Sequence, residues 1–205
     1  MYFCVVNCLT IINKLMAKVY EFLANGFEDI EALIPVDVLR RGGVEVVTVA
    51  VEEDMPLVTS AHGVPMMADM LLADCDFADA DLLLLPGGMP GAQNLFDNKT
   101  VCKAVVDQAA AGRRVAAICA APAVVLGQLG LLEGRKATCY PGFEQLLDGA
   151  KYTGELCTVD GPFTTGEGPA AALPFAYELL RQLKGDKVAR EVAEGMRYVH
   201  LMAGK

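Results

Sequence analysis

Two short runs constrain this chain more than any other feature: Asp81–Leu85 and Arg114–Ile118 are apolar at every position after the first. A strand with one wet face alternates, so uninterrupted runs of this length mark strands covered on both faces. Similar strands are expected at Val19–Ala24 and Glu45–Val51, and amphipathic helical spacing separates them. Strand and helix in alternation imply an α/β fold, a three-layer α/β/α sandwich with a mostly parallel central sheet.

The remaining pattern fills in that frame. Asp29–Arg41 has helical spacing and stops at Gly42-Gly43, with Pro35 expected in its first turn or at a kink. Residues 56–74 are broken by Pro56, Gly63 and Pro65, which predicts short edge strands. Helices are expected at Asn98–Ala111, with Cys102, Val105 and Val106 on its apolar face, and at about Ala121–Leu129, Ala170–Leu183 and Asp186–Gly195. Lys136–Tyr140 reads as extended and Phe143–Leu147 as a short helix. Cys157–Val159 and Phe163–Thr165 read as a hairpin turning at Asp160-Gly161. In parallel sheets ligands bind outside the carboxyl ends of the strands. The loops Asn25–Glu31, Pro86–Gly91 and Cys119–Pro122 therefore matter most.

Composition narrows the function classes. The 205 residues suit one domain with a full core. A net charge of −9 repels phosphate backbones and anionic lipid, so neither nucleic acid nor a membrane surface is an expected partner. Val115–Leu132 carries no charge for 18 residues, yet Pro122, Gly127 and Gly130 favour a buried strand running into a helix over a membrane span. Seven cysteines without a C-x-x-C pair, and two histidines, fit neither a disulfide framework nor a zinc site. They read as reduced thiols in a cytoplasmic protein, with no metal expected. Residues 1–15 precede a natural start at Met16 and are expected outside the fold, as an extension to a single domain over 16–205; a short signal peptide is the alternative.

Cys119 is the strongest chemical signal. It ends a buried strand and opens a helix among small residues, the logic of a nucleophile elbow. A thiol there also meets unpaired amides, which favour the thiolate and predict a low thiol pKa. The same pattern fits a small buried core cysteine. Glu28 and Glu31 open the first helix, where acids commonly serve the dipole. Glu31, flanked by apolar neighbours, would be desolvated and hold a shareable proton if it faced the crevice. Gly87-Gly88 could supply oxyanion amides or simply a tight turn, and lacks the Gly-Lys-Ser/Thr of a phosphate loop. His62 and His200 read as surface residues.

These segments together resemble the ThiJ/PfpI superfamily, nearest its YajL-like and parkinsonism-associated deglycase branch. Gly26-Phe27-Glu28-Asp29-Ile30-Glu31 with Ile34-Pro35-Val36-Asp37 is similar to its first motif. Leu85-Pro86-Gly87-Gly88 with Gly91-Ala92-Gln93-Asn94-Leu95 is similar to its second, and Ala116-Ala117-Ile118-Cys119-Ala120-Ala121-Pro122 to its nucleophile segment. With Gly168-Pro169, the likeness covers about residues 16–195.

The resemblance implies a flavodoxin-like sandwich, a homodimer, and no cofactor. It implies a catalytic Cys119 hydrogen-bonded to a protonated Glu31, and an oxyanion hole from the amides of Gly88 and Ala120. Glu28 and Tyr140 would line the substrate pocket. The activity implied is that of a glyoxalase or deglycase acting on methylglyoxal-like carbonyls or their early adducts. The alternative is a redox-sensing stress-response or chaperone protein whose cysteine is oxidised. Ala120 stands where the protease-like branch has His, which disfavours proteolysis. Tyr140 stands at a pocket His position, and Glu167 and His62 at positions where Arg is common, so no anion-binding Arg pair is expected.

Overall fold

A computed structural model describes residues 16–52 and 54–199; the readings made for residues 1–15 and for His200 lie outside them. Seven strands form the central sheet: β1 (Lys18–Leu23), β2 (Glu45–Ala50), β5 (Met70–Leu71), β6 (Leu82–Leu85), β7 (Arg114–Ile118), β10 (Cys157–Asp160) and β11 (Phe163–Gly166). Their order across the sheet is β10-β11-β7-β6-β1-β2-β5. Every neighbouring pair is parallel except β10 with β11. β3 (Leu57–Thr59) and β4 (Pro65–Met67) form a separate hairpin, and β8 (Lys136–Ala137) pairs with β9 (Lys151–Tyr152). This is the expected sandwich, with short strands where Pro and Gly break residues 56–74.

The apolar runs sit where their composition places them. β6 and β7 occupy the middle of the sheet and are buried at every position except Arg114. The uncharged stretch after β7 is not a membrane helix. It turns through a wide six-residue helix, Pro122–Gly127, and no described helix is long and apolar enough to cross a membrane. The helix expected to reach Leu129 is shorter because Gln128 and Leu131 bond five residues back, to Ala123 and Leu126, which widens the coil.

Helix α1 (Asp29–Arg41) has the expected limits, with Pro35 in its middle rather than its first turn. The stretch after β6 holds an additional short helix, α2 (Gly91–Asp97), before α3 (Lys99–Ala110). Asn98 separates them by accepting the N–H groups of Thr100 and Val101, an N-cap that lets a new helix begin. Val106 is exposed, not part of the apolar face of α3, which is built on buried Val101 and Val105. Lys136–Tyr140 is a strand only at its first two residues, and a 3₁₀ turn covers Glu144–Leu146. Helices α4 (Ala172–Lys184) and α5 (Asp186–Gly195) close the described chain, and α4 packs against α1.

One residue breaks the pattern of the sheet. Glu21, in the middle of β1, is fully buried, and neither carboxyl oxygen has a hydrogen-bond partner among the described residues. Desolvation raises its pKa well above 4.5, only partly opposed by the charge of Arg40. The folded chain thus keeps a proton on Glu21 that the unfolded chain releases, so its contribution to stability falls as pH rises above about 4.5. Glu21→Val keeps the volume and removes the buried acid. It should stabilise the fold by about 2 kcal/mol at pH 7, or about 4–8 °C in Tm, measured by thermal unfolding. An unchanged or lower Tm would show that Glu21 has a favourable partner.

Candidate active site

The loops after β1, β6 and β7 converge at the carboxyl edge of the sheet, on Cys119. This residue follows β7 directly and has φ 66°, a left-handed backbone that cysteine rarely adopts. Strain of this kind costs about 1–3 kcal/mol and persists only where neighbours hold it. Here both sides of the residue are held: Cys119 N–H donates to the Gly166 carbonyl at 2.9 Å, and its carbonyl accepts Tyr140 N–H at 2.8 Å. The side chain is therefore lifted off the strand line, though the residue is only 8% exposed.

Glu31 comes to it from α1. The residue is wholly buried, and its Oε2 accepts the Gly87 N–H at 3.0 Å. Its carboxyl interacts with the Cys119 thiol, while Oε1 has no nitrogen or oxygen partner. Glu28 caps α1 by accepting the Glu31 N–H at 2.8 Å, which leaves Glu31 free to turn inward. The two acids of the motif thus divide the work: one serves the helix end and the other the crevice.

Gly87 and Gly88 are required by contact as well as by turn geometry. A Cβ on Gly87 would lie 2.6 Å from both Cys119 Cβ and Glu31 Oε2. Gly88 has φ 89°, and its Cβ would lie 2.5 Å from Glu28 N. Their bareness lets the loop close over the thiol, and the amides of Gly88 and Ala120 both hydrogen-bond the Cys119 sulfur. The short helix beyond Ala121 has six residues, so local amides rather than a long helix dipole provide the positive field.

The electrostatics correct one expectation. Burial first, then the charge and hydrogen bond of Glu31, push the Cys119 thiol up to about 12 against the two amides, not below the usual thiol range. Burial likewise lifts Glu31 from 4.5 to about 7, with Glu28 adding repulsion and the thiol and Gly87 N–H opposing. The two groups titrate as a pair: two protons below about pH 7, and one from there to about 12. In that middle state the charge sits on the Glu31 carboxylate, which can take the thiol proton as the sulfur attacks. Alkylation of Cys119 should therefore rise about tenfold between pH 6 and 8, followed by peptide mapping. Cys139 and Cys157, which burial pushes to about 12, should stay slow. A Cys119 rate that climbs only above pH 10 would show that Glu31 does not take the thiol proton.

Tyr140, half exposed, lines a cavity with Pro141, Glu167, Gly168 and Pro169. At the start of α1 lies a cluster invisible in the sequence: Asp29 accepts from Ser60 Oγ at 2.6 Å and meets His62 Nδ1 at 2.6 Å. Nothing short of the fold joins residues 31 and 33 positions apart. His62 is on the surface as expected, and Asp29 raises its pKa by hydrogen bonding. Glu28, Asp29 and His62 bring one ligand atom each within 4.8 Å of one another. All three already have partners in the Glu31 N–H, Ser60 and each other.

Comparison with known proteins accords with this geometry. Protein DJ-1 homolog B of Arabidopsis thaliana is 45% identical over 177 residues, 86% of this chain and 40% of that one. This chain thus spans about two fifths of the length of that plant relative. A deglycase of Pyrococcus horikoshii is 30% identical over 169 residues, 82% of this chain and 99% of its own. The structure of an oxidised DJ-1 from Toxoplasma gondii superposes with a TM-score of 0.84 at 36% identity, covering 88% of this chain and 97% of that one. The sequence model of the DJ-1/PfpI family matches residues 17–182, which include Cys119, Glu31 and both glycines of the loop, and the chain belongs to that family.

Proposed function

We propose that this chain is a cofactor-independent cysteine enzyme of the glyoxalase or deglycase type, acting on methylglyoxal-like carbonyls or their early adducts. The observation that carries this reading is the convergence of a buried, proton-holding Glu31 and two backbone amides on one strained thiol. Cys119 sulfur adds to the aldehyde carbon, and the proton held by the pair passes through Glu31 to the new oxygen. The amides of Gly88 and Ala120 hold the oxygen while its charge develops. Glu31 then moves the carbon-bound proton to the neighbouring carbon while the hydroxyl proton passes to that carbon's oxygen, leaving a thioester. Water cleaves the thioester to a hydroxy acid such as lactate and the free thiol. Glu28 and Tyr140 border the space the substrate would occupy, Tyr140 as a hydroxyl donor. The deglycase among the relatives supports this reading.

The test is the formation of lactate from methylglyoxal, with and without glutathione. Saturable turnover that stops when Cys119 alone is alkylated supports an enzyme. A second reading has its own support in the oxidised relative: peroxide converts Cys119 to a sulfinic acid and partner binding is the output. Partner capture that depends on oxidation, without lactate, would favour it.

We also propose a cytoplasmic homodimer. Ile30 and Leu33 on α1, and Leu57, Val64 and Met67 on the neighbouring hairpin, are exposed. Backbone bonds from Gly26 to Thr59 and from Ala61 to Phe27 tie the hairpin to the start of α1. Sedimentation should give twice the chain mass, and Leu33→Asp should give the monomer. A native monomer would show that this face is simply solvated.

A further inference from the structure

The cavity beside Cys119 has a charge of its own. It measures about 440 Å³ and is lined by the ring of Tyr140, by Pro141 and Pro169, and by Glu167. It neighbours the backbone of Cys119: Tyr140 N–H and the carbonyl of Gly166, the residue before Glu167, are the two groups that hold Cys119 in its turn. Gly168 closes against Tyr140 so tightly that a Cβ there would be 3.1 Å from its ring. The Glu167 carboxyl has no hydrogen-bond or ion-pair partner among the described residues, and no lysine or arginine lines the cavity. At the start of α1, Glu28 and Asp29 outnumber His62.

We propose that this cavity is a cation subsite, which seats an organic cation carried by the carbonyl compound or adduct that reaches Cys119 and turns away anionic ones. The inference rests on Cys119 as the nucleophile and adds the charge class of its substrate. An unpaired carboxylate attracts a cation through a partly desolvated cavity, and the tyrosine face adds to that attraction. A carboxylate- or phosphate-bearing carbonyl meets repulsion from Glu167. Glu167 is then the residue that sets the preference, by contact with the group the substrate carries rather than with the reacting carbon.

Three methanethiosulfonates test this without requiring turnover: ethylammonium, ethylsulfonate and the neutral methyl reagent. In each, the Cys119 thiolate attacks the reagent's sulfenyl sulfur, a mixed disulfide forms and methanesulfinate leaves. Rates at Cys119, followed by peptide mass and divided by the rates with free mercaptoethanol, remove intrinsic reactivity. The ammonium-to-sulfonate ratio should exceed unity by about tenfold at low salt and shrink at ~0.5 M salt. Glu167→Gln should remove most of that preference and Glu167→Arg should invert it. Glu191→Gln, on the exposed face of α5, changes net charge equally and should leave the ratio within about twofold. Should one Glu167 variant fail to fold, the other is read against the same Glu191→Gln control. Labelled Cys119 with a charge-blind ratio, or equal effects of Glu167→Gln and Glu191→Gln, overturns the subsite alone. A Cys119 that the neutral reagent does not label overturns the nucleophile reading and the subsite with it.

Discussion

Cys119→Ser should fold as the native chain does and lose turnover of methylglyoxal by at least about 10³-fold. The fold is expected to survive because serine is nearly the same size and needs the same backbone bonds to Gly166 and Tyr140. The chemistry is not, because a hydroxyl gives its proton to Glu31 far less readily than a thiol and is the weaker nucleophile. The measurement is lactate release beside a thermal melt of the same sample. Activity within tenfold of native would move the reaction to another residue or to a bound water. A Tm lower by more than a few degrees would show that the thiol also matters for packing.

Glu31→Gln separates proton transfer from hydrogen bonding. The amide keeps the size of the acid and can donate toward Cys119, but it cannot carry a proton back and forth. Turnover should fall about 10²–10⁴-fold. Stability should move the other way. Glu31 is raised from 4.5 to about 7, so the folded chain holds a proton that the unfolded chain loses in that window. Its destabilising effect therefore grows as pH rises from about 4.5 to 7 and reaches about 3 kcal/mol above it. Glu31→Gln should flatten that part of the stability–pH curve while Glu21 maintains a residual slope. Glu28→Gln is the control for activity: an amide oxygen still caps α1, and turnover should stay within about tenfold. If Glu28→Gln is inactive and Glu31→Gln is not, the two acids have the opposite roles.

These experiments probe a site that the sequence disclosed unevenly. Cys119 and the two glycines were legible because each lies at the end of an apolar run, where a parallel sheet opens its crevice. Glu31 was legible through its apolar neighbours, since an acid among Ile30, Ala32 and Leu33 has few ways to remain solvated. What escaped notice depends on distances between loops. Ser60, His62 and Asp29 meet only because the β3–β4 hairpin folds back on the start of α1, and no local periodicity encodes that return. Glu21 was hidden by its neighbours: a strand of strong β formers reads as a strand whatever one residue carries, and burial reveals the acid. The helix α2 was missed because Pro90 and Gly91 read as loop, while the cap that divides it from α3 is a single asparagine. The thiol value was misread for a related reason. Counting amides near the sulfur leaves out the water that the closed crevice excludes, and that exclusion is the larger effect.

The held turn at Cys119 ties reactivity to cooperativity. Its left-handed backbone is secured by partners 21 and 47 positions away, Tyr140 and Gly166, and not by anything in its own segment. The Gly166 bond is lost if β11 detaches and the Tyr140 bond if the loop after β8 does, and a freed Cys119 would relax to an ordinary extended or helical backbone within nanoseconds. The Cys119 thiol is thus a sensor of the whole sheet: its selective labelling should vanish in the same transition as the global melt, with no temperature range in which a loosened protein still carries a selectively labelled thiol.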